Sequence, residues 1–389
     1  MNAKIFSPIS AMHQDNNLYP VVISLDVHDK NTYVFGCDIQ TGLLLADYNV
    51  PGAFMKTIKK LNSLKLPKDR CLILYEAGSM GFYPHRQLSA AGYRVRVIAP
   101  SSIPNRCKQQ KTDRDDAKDN LSFHVSGLLH YVTVPNESDE ATRDVLRYRH
   151  TLACAVSQQK QKILSMIKRY GLLFTETKTN WTKKHRVWLR TVECIDPVRI
   201  LLNIQLEELE SAEQRLGRIE QRIDEIVTAN PLYQSRYNLY HMLPGFGRVN
   251  SMIMTLEGGD LERFSHPDSL MNYTGLVPLK YSSGQSDPAL HITKAGNFYL
   301  RLGMVGAAKS YGNEKQMAAA LQRAQKLEGP MRDFIIKTID RLSARFRMLC
   351  AKRKHRNKVK CAIARELCGS VWELMVKVAP QLDHYRLAA

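Results

Sequence analysis

No run of apolar residues in this 389-residue chain approaches the roughly 18 to 20 that a bilayer crossing needs, which excludes an integral membrane protein. No Cys-x-x-Cys pair occurs among the eight cysteines, at 37, 71, 107, 154, 194, 350, 361 and 368. That argues against a zinc ribbon or a dithiol redox site, and the scattered thiols read as reduced, in a cytoplasmic protein. The first residues, MNAKIFSPISAMHQDNN, lack the charged-then-apolar layout of a secretory signal, so secretion is not expected. Acidic residues are scarce: 37 Asp plus Glu stand against 56 Lys plus Arg, a formal net charge of +19. An excess of this size, spread over the whole chain, is the footprint of a protein that neutralises phosphates, and nucleic acid is the expected partner. A membrane surface is the weaker rival, because no basic amphipathic helix with aromatic anchors stands out. With 44% apolar and 24% charged residues the composition is globular, and the length predicts two or three domains.

Residues 1–17 are polar and irregular and read as a flexible arm. VVISLDV (21–27), NTYVFGCD (31–38) and LLLADYNV (43–50) then predict a three-strand meander. Pro51 and Gly52 open a helix to about Leu64, and CLILYEA (71–77) is a short apolar run expected of a strand buried on both faces. A helix over 81–92, a strand over 94–100 and a helix from Asp113 to about Leu128 follow. The order β-β-β-α-β-α-β-α is that of a ribonuclease H-like α/β sheet, placed at 18–133. Residues 134–238 form a helical linker: 138–170 and 196–229 are long helical segments. In the second, Leu202, Leu206, Leu209, Leu216, Ile219, Ile223 and Ile226 recur at steps of three, four and seven, which predicts antiparallel helices or a coiled coil. NWTKKHRVWLR (180–190) between them suits a spacer, a dimerisation arm or a binding face. A mainly helical third part, 239–389, carries Pro-Gly-Phe-Gly at 244–247, and its 294–378 stretch is expected to be helical apart from a break at Gly329-Pro330.

Four carboxylates draw the eye of a chemist. Asp26 ends the first strand and Glu76 the fourth, while Asp113 and Asp116 share one face of the first turn after the fifth strand. Sites in open α/β sheets form outside the carboxyl ends of strands, so the four are expected to converge. Carboxylate oxygens suit Mg²⁺ or Mn²⁺, and a pair of such ions can activate an attacking oxygen and stabilise a leaving one at phosphorus. An aspartate at a helix start also serves as an N-cap, which is the plainer role for Asp113.

SLDVHDK (24–30), LYEAGSMGFYPHRQLSAAGYRVRVIAPS (74–101) and KTDRDDA (111–117) resemble the DEDD transposases of the insertion-sequence-110 family, particularly its 1111 subgroup. This family also holds the pilin-gene-inverting recombinase. GLVPLKYSSGQSDPALHITKAGNFYLR (275–301) is similar to the family's second block, and the resemblance covers about 20–380. It implies a RuvC-like catalytic domain whose acidic, metal-binding tetrad is Asp26, Glu76, Asp113 and Asp116. It implies a serine nucleophile at Ser283, directly before Gly284, with Ser282 as the alternate, and a phosphoserine intermediate. Pro288-Ala289-Leu290-His291 stands where family members often carry Arg and Gly. The resemblance further implies donor and target DNA, a structured guide (bridge) RNA from the element's non-coding end, a homodimer or homotetramer, and a place in the bacterial cytoplasm, by the nucleoid.

Contacts to nucleic acid are expected from Gly245, Gly247 and Arg248, in a turn that looks like a helix-hairpin-helix, where glycines let backbone N–H groups approach a phosphate. Lys294, Asn297 and Arg301, at helical spacing, are candidates to hold the scissile phosphate. Lys111 and Arg114 beside the acidic motif, the neighbouring Arg106 and Lys108, and the run KRKHRNKVK (352–360) are basic patches for a backbone. The rival enzyme is a junction-resolving metal nuclease that activates water and leaves Ser283 idle. A non-enzymatic nucleic-acid binder is disfavoured by the intact tetrad.

Overall fold

The computed structural model describes residues 18–104, 112–279 and 291–381. The chain divides into two compact units, 1–135 and 136–389. The expected flexible arm, 1–17, lies outside the described residues.

The first unit is built on a six-stranded sheet: β1 Val21–Val27, β2 Asn31–Asp38, β3 Leu44–Pro51, β4 Cys71–Glu76, β5 Arg94–Ile98 and β6 Tyr131–Val132. Their order across the sheet is β3-β2-β1-β4-β5-β6. The meander pairs antiparallel, β1 with β4 and β4 with β5 run parallel, and β6 returns antiparallel. Helices α1 (Phe54–Ser63), α2 (Tyr83–Ala90) and α3 (Asp113–Val125) connect the strands. Side-chain alternation sorts the core into two layers. Ile23, Leu25, Ile73 and Tyr75 pack with Phe54, Ile58, Leu61 and Leu88 from α1 and α2. Val22, Leu72 and Leu74 pack with Ala117, Leu121 and Val125 of α3. Helices therefore cover both faces, and this is why β1 and β4 are continuous apolar runs rather than alternating ones.

Three local differences from the expected elements have simple causes. The helix from Asp113 stops at Val125 because Gly127 turns left-handed (φ 69°) just after it. Strand β6 is two residues long, too short for a period to show. Lastly, the expected break at Gly329-Pro330 is present but lies over 325–328, and the pair itself opens the next helix, since proline's missing N–H costs nothing in a first turn.

The second unit is helical. α4 (Glu137–Arg169) and α6 (Asp196–Ala229) form a long hairpin, with α5 (Lys183–Thr191) between them in sequence. Ile163, Met166 and Ile167 near the end of α4 meet Leu202, Leu206 and Leu209 near the start of α6, while Leu146 clusters with Ile223 and Val227, so the two run antiparallel. α7 (Pro231–His241), α8 (Arg248–Ile253), a π-helical turn over Met254–Gly258, α9 (Pro267–Thr274), α10 (Phe298–Ala308), α11 (Glu314–Ala324), α12 (Gly329–Ala351) and α13 (Arg356–Glu373) complete it. Leu146, Ile223, Val227 and Tyr233 share one core with α8 to α13. The expected division at 238/239 is therefore not a break in packing. Among the described residues no helix is long and apolar enough to cross a membrane.

At the far end of the hairpin His185 is fully buried. It stacks on Trp188 and meets Phe174 and Trp181 edge-on. The Trp181 backbone N–H donates to its Nδ1 at 3.0 Å, so the ring is held neutral. Burial, helped by Arg186, lowers its pKa from the ordinary 6.5. A histidine whose folded pKa is depressed contributes stability that is present above the unfolded value and lost as pH falls below it. The thermal midpoint should accordingly drop on acidification from about pH 7 to about pH 5.5. His185→Gln, which keeps an acceptor but does not titrate, should show a shallower drop over that window, measured by circular dichroism.

Candidate active site

The acidic edge follows from strand register. β1 and β4 run parallel with Leu25 opposite Tyr75, so the next step sets Asp26 beside Glu76. Alternation then puts both carboxylates on the face covered by α3, opposite to Leu25 and Tyr75. α3 packs on β1, β2 and β4, and its first turn contributes Asp113 and Asp116. Thr112, not Asp113, caps this helix: its Oγ1 accepts from Asp115 N–H at 3.2 Å and donates to the Asp115 carboxylate. Asp113 and Asp116 are thereby released from capping, and negative charge in a first turn is favoured by the helix dipole.

His28, just beyond β1, joins the group. Its Nε2 lies 3.2 Å from Asp26 Oδ2 and 3.8 Å from Asp113 Oδ1. Asn31 Nδ2 donates to Asp113 Oδ2 at 3.2 Å. One donor atom from each of Asp26, His28 and Asp113 falls within 4.8 Å of the others. Burial raises the Asp26 carboxyl above its ordinary 3.8; His28 opposes this, and repulsion from Asp113 and Asp116 adds to it. Two or more carboxylates that repel one another at a half-buried edge are a donor set that a hard divalent cation satisfies. Asp26, His28 and Asp113 fit such an ion, with Asp116 and Glu76 at the same edge. Neither His28 nor Asn31 is marked in the sequence by a period or a motif; their place at the site comes from the β1–β2 turn.

Arg114 turns away from this edge. Its guanidinium is taken by Asp47, with Nε to Oδ1 at 3.0 Å, and Tyr33 bonds the same carboxylate. The Arg114 hydrogen bond, with that from Tyr33, holds Asp47 below the usual carboxylate range. Lys111, Arg106 and Lys108 lie outside the described residues, as do Ser282 and Ser283.

The stem below the serines is described, and it is tightly interlocked. Leu279 N–H donates to His291 O at 2.7 Å, Thr293 N–H to Val277 O at 2.9 Å, and Asn297 N–H to Tyr273 O at 2.7 Å. Gly275 (φ 66°) and Gly296 (φ 86°) allow the two strands of this stem to touch: a Cβ on either would sit 2.1 Å from a backbone oxygen opposite. Lys294, Asn297 and Arg301 do not share a helix face, as their spacing had suggested. Lys294 is an exposed left-handed residue (φ 56°) ahead of α10, Asn297 caps that helix, and only Arg301 is inside it. Asn297 also donates to Glu257 at 2.8 Å, a fully buried carboxylate gripped by Arg147 Nε at 2.7 Å. Arg301 donates to Thr274 O at 2.8 Å. Both side chains thus tie the stem to its surroundings.

In the Pro-Gly-Phe-Gly turn, Gly245 (φ 83°) is required by packing, since a Cβ would meet Ala307 O at 2.3 Å. Gly247 caps the six-residue α8 in open space, and Arg248 pairs with Asp224 at 2.9 Å.

Against this geometry, known proteins give a consistent answer. A family profile described as the transposase IS116/IS110/IS902 family matches residues 237–322, which span the Pro-Gly-Phe-Gly turn, the stem and α10. A putative transposase of Sinorhizobium fredii, y4qE, is 32% identical over 302 residues, covering 77% of this chain and 74% of that protein. The transposase for insertion sequence element IS1111A of Coxiella burnetii is 21% identical over 258 residues, 66% of this chain and 70% of its own. That for IS1328 of Yersinia enterocolitica is 21% identical over 308 residues, 78% and 83%. The chain belongs to the IS116/IS110/IS902 transposase family.

The stem makes a prediction that separates close approach from mere positive φ. Gly171 is also left-handed (φ 69°) but has nothing within 4 Å of a built Cβ. Gly171→Ala should cost about 1 kcal/mol for strain alone. Gly296→Ala should cost distinctly more, by a further ~1–3 kcal/mol of overpacking against backbone. Denaturant midpoints of the two variants check this, and equal losses would contradict the interlocked stem.

Proposed function

We propose that this chain is the transposase of an insertion sequence, with a ribonuclease H-like, RuvC-like first unit bearing a DEDD tetrad and a serine nucleophile in the second unit. The observation that carries the reading is the gathering of Asp26, Asp113 and Asp116 at one sheet edge, with Glu76 following Tyr75 at the end of the neighbouring parallel strand, in a chain of net charge +19. The transposase names of its relatives support the same reaction class.

In this reading Asp26, Glu76, Asp113 and Asp116 hold Mg²⁺ or Mn²⁺, with His28 bonded at the margin. The ion, when bound, favours deprotonation of an attacking hydroxyl and stabilises charge on the leaving oxygen. The side chains do the rest. Asn31 and His28 orient Asp113 and Asp26. Ser283 Oγ attacks the phosphorus of a DNA phosphodiester and loses its proton, the bond to the departing strand breaks, and that strand's oxygen gains a proton. The phosphoserine keeps the phosphate activated. Attack by the hydroxyl of another strand then joins the DNA and regenerates serine, with no nucleotide cofactor consumed. Exchange of two strands needs more than one such centre, which supports a homodimer or homotetramer. Family resemblance supports guidance by an element-encoded bridge RNA, and the positive charge suits a protein that holds two nucleic acids at once.

Trapping tests this directly. Labelled DNA carrying the element's junction, incubated with protein and Mg²⁺ and then denatured, should leave a covalent adduct that peptide mass spectrometry places at Ser283. Ser283→Ala should abolish it. An adduct that survives Ser283→Ala moves the nucleophile to Ser282. Cut DNA with free phosphate or hydroxyl ends and no adduct at all contradicts the serine mechanism in favour of a nuclease that uses water.

A further inference from the structure

α13 packs beside the stem of the serine segment and leaves a groove of about 410 Å³ between them. Leu276, Pro278 and Ile292 of the stem form an apolar floor. Lys358, Cys361, Ala362 and Arg365 line the opposite wall at i, i+3, i+4 and i+7, a single helix face. Asn357 stands at its open end.

Charge distinguishes this groove from the surfaces around the hairpin where arginines meet acids: Arg149 pairs with Glu220, Arg186 with Glu213, Arg190 with Glu210, and Arg248 with Asp224. On α13 the one nearby acid, Glu366, is engaged from another side by Arg341 and Arg345. Lys358 and Arg365 have no acidic partner among the described residues. The α12–α13 corner that leads into the groove, with Lys352, Arg353, Lys354 and Arg356 all exposed, has none either. An apolar floor beneath unpaired cations is the chemistry that a strand satisfies, with sugar and base edges below and phosphates above.

We infer that this groove is a subsite for a single DNA strand, with Lys358 and Arg365 each contacting one phosphate and the α12–α13 corner continuing the track. DNA is the occupant because the groove is lined by Leu276, Pro278, His291 and Ile292, the residues that flank in sequence the segment holding Ser283, and this assignment rests on the function proposed above. Both cations lie on the surface of a packed helix, so their removal leaves the core intact.

The test uses the full chain and a mixed-sequence single-stranded DNA, with RNA of the same sequence beside it. The affinity of wild type and of the Lys358→Ala/Arg365→Ala double variant is followed against salt. Two lost phosphate contacts at about 0.7 each should reduce the slope of log K against log salt by about 1.4 on DNA. Thermal unfolding verifies that the variant is folded. An unchanged slope on DNA overturns the inference, and so does a change seen on RNA alone. The serine adduct reads the other hypothesis separately: an adduct with an unchanged slope leaves the transposase and removes the groove, whereas a reduced slope with no adduct leaves a DNA track in a protein of different chemistry.

Discussion

Like charges forced together at one sheet edge are the constraint from which the rest follows. Asp26 comes directly after the last β1–β4 pair, Leu25 and Tyr75, and the α3 contacts that bury Ala117 and Leu121 bring Asp113 and Asp116 close enough to repel it. Hydrophobic packing thus assembles an arrangement that electrostatics alone would disperse. His28 and Asn31 supply only local relief.

The second unit repeats the logic with backbone instead of charge. Gly275 and Gly296 bring the two sides of the stem into contact, and the buried Glu257 locks Asn297 and Arg147 around it. Side chains that look free in the sequence, Asn297 and Arg301, are used to hold the stem, through Glu257 and Thr274. Arg114 and Arg248 are likewise engaged, by Asp47 and Asp224. Lys352, Arg353, Lys354, Arg356 and Lys358, by contrast, are exposed together on the α12–α13 corner and the adjoining groove.

What could be read beforehand tracks the physics of each signal. Strands β1 to β5 and the long hairpin helices were legible because burial imposes a period or a continuous apolar run, and both persist over many residues. Asp26 and Glu76 stood out because each ends an apolar strand with an acidic residue, and Asp113 and Asp116 because they share the first turn of a helix. His28 did not, since one histidine after a strand has no period. The side-chain partners of Arg114, Asn297 and Arg301 come from residues 67, 40 and 27 positions away, and nothing in a linear spacing reports such pairings. Strand β6 and the helix-opening role of Gly329-Pro330 depended equally on tertiary context.

The central claim is that the acidic edge exists to bind a divalent ion. Electron paramagnetic resonance of Mn²⁺ titrated into the purified chain measures this without any reaction. The account predicts a bound Mn²⁺ signal that Mg²⁺ displaces, weakened about tenfold or more by either Asp26→Asn or Asp113→Asn in a protein that remains folded. Mn²⁺ affinity unaltered by both substitutions would contradict it.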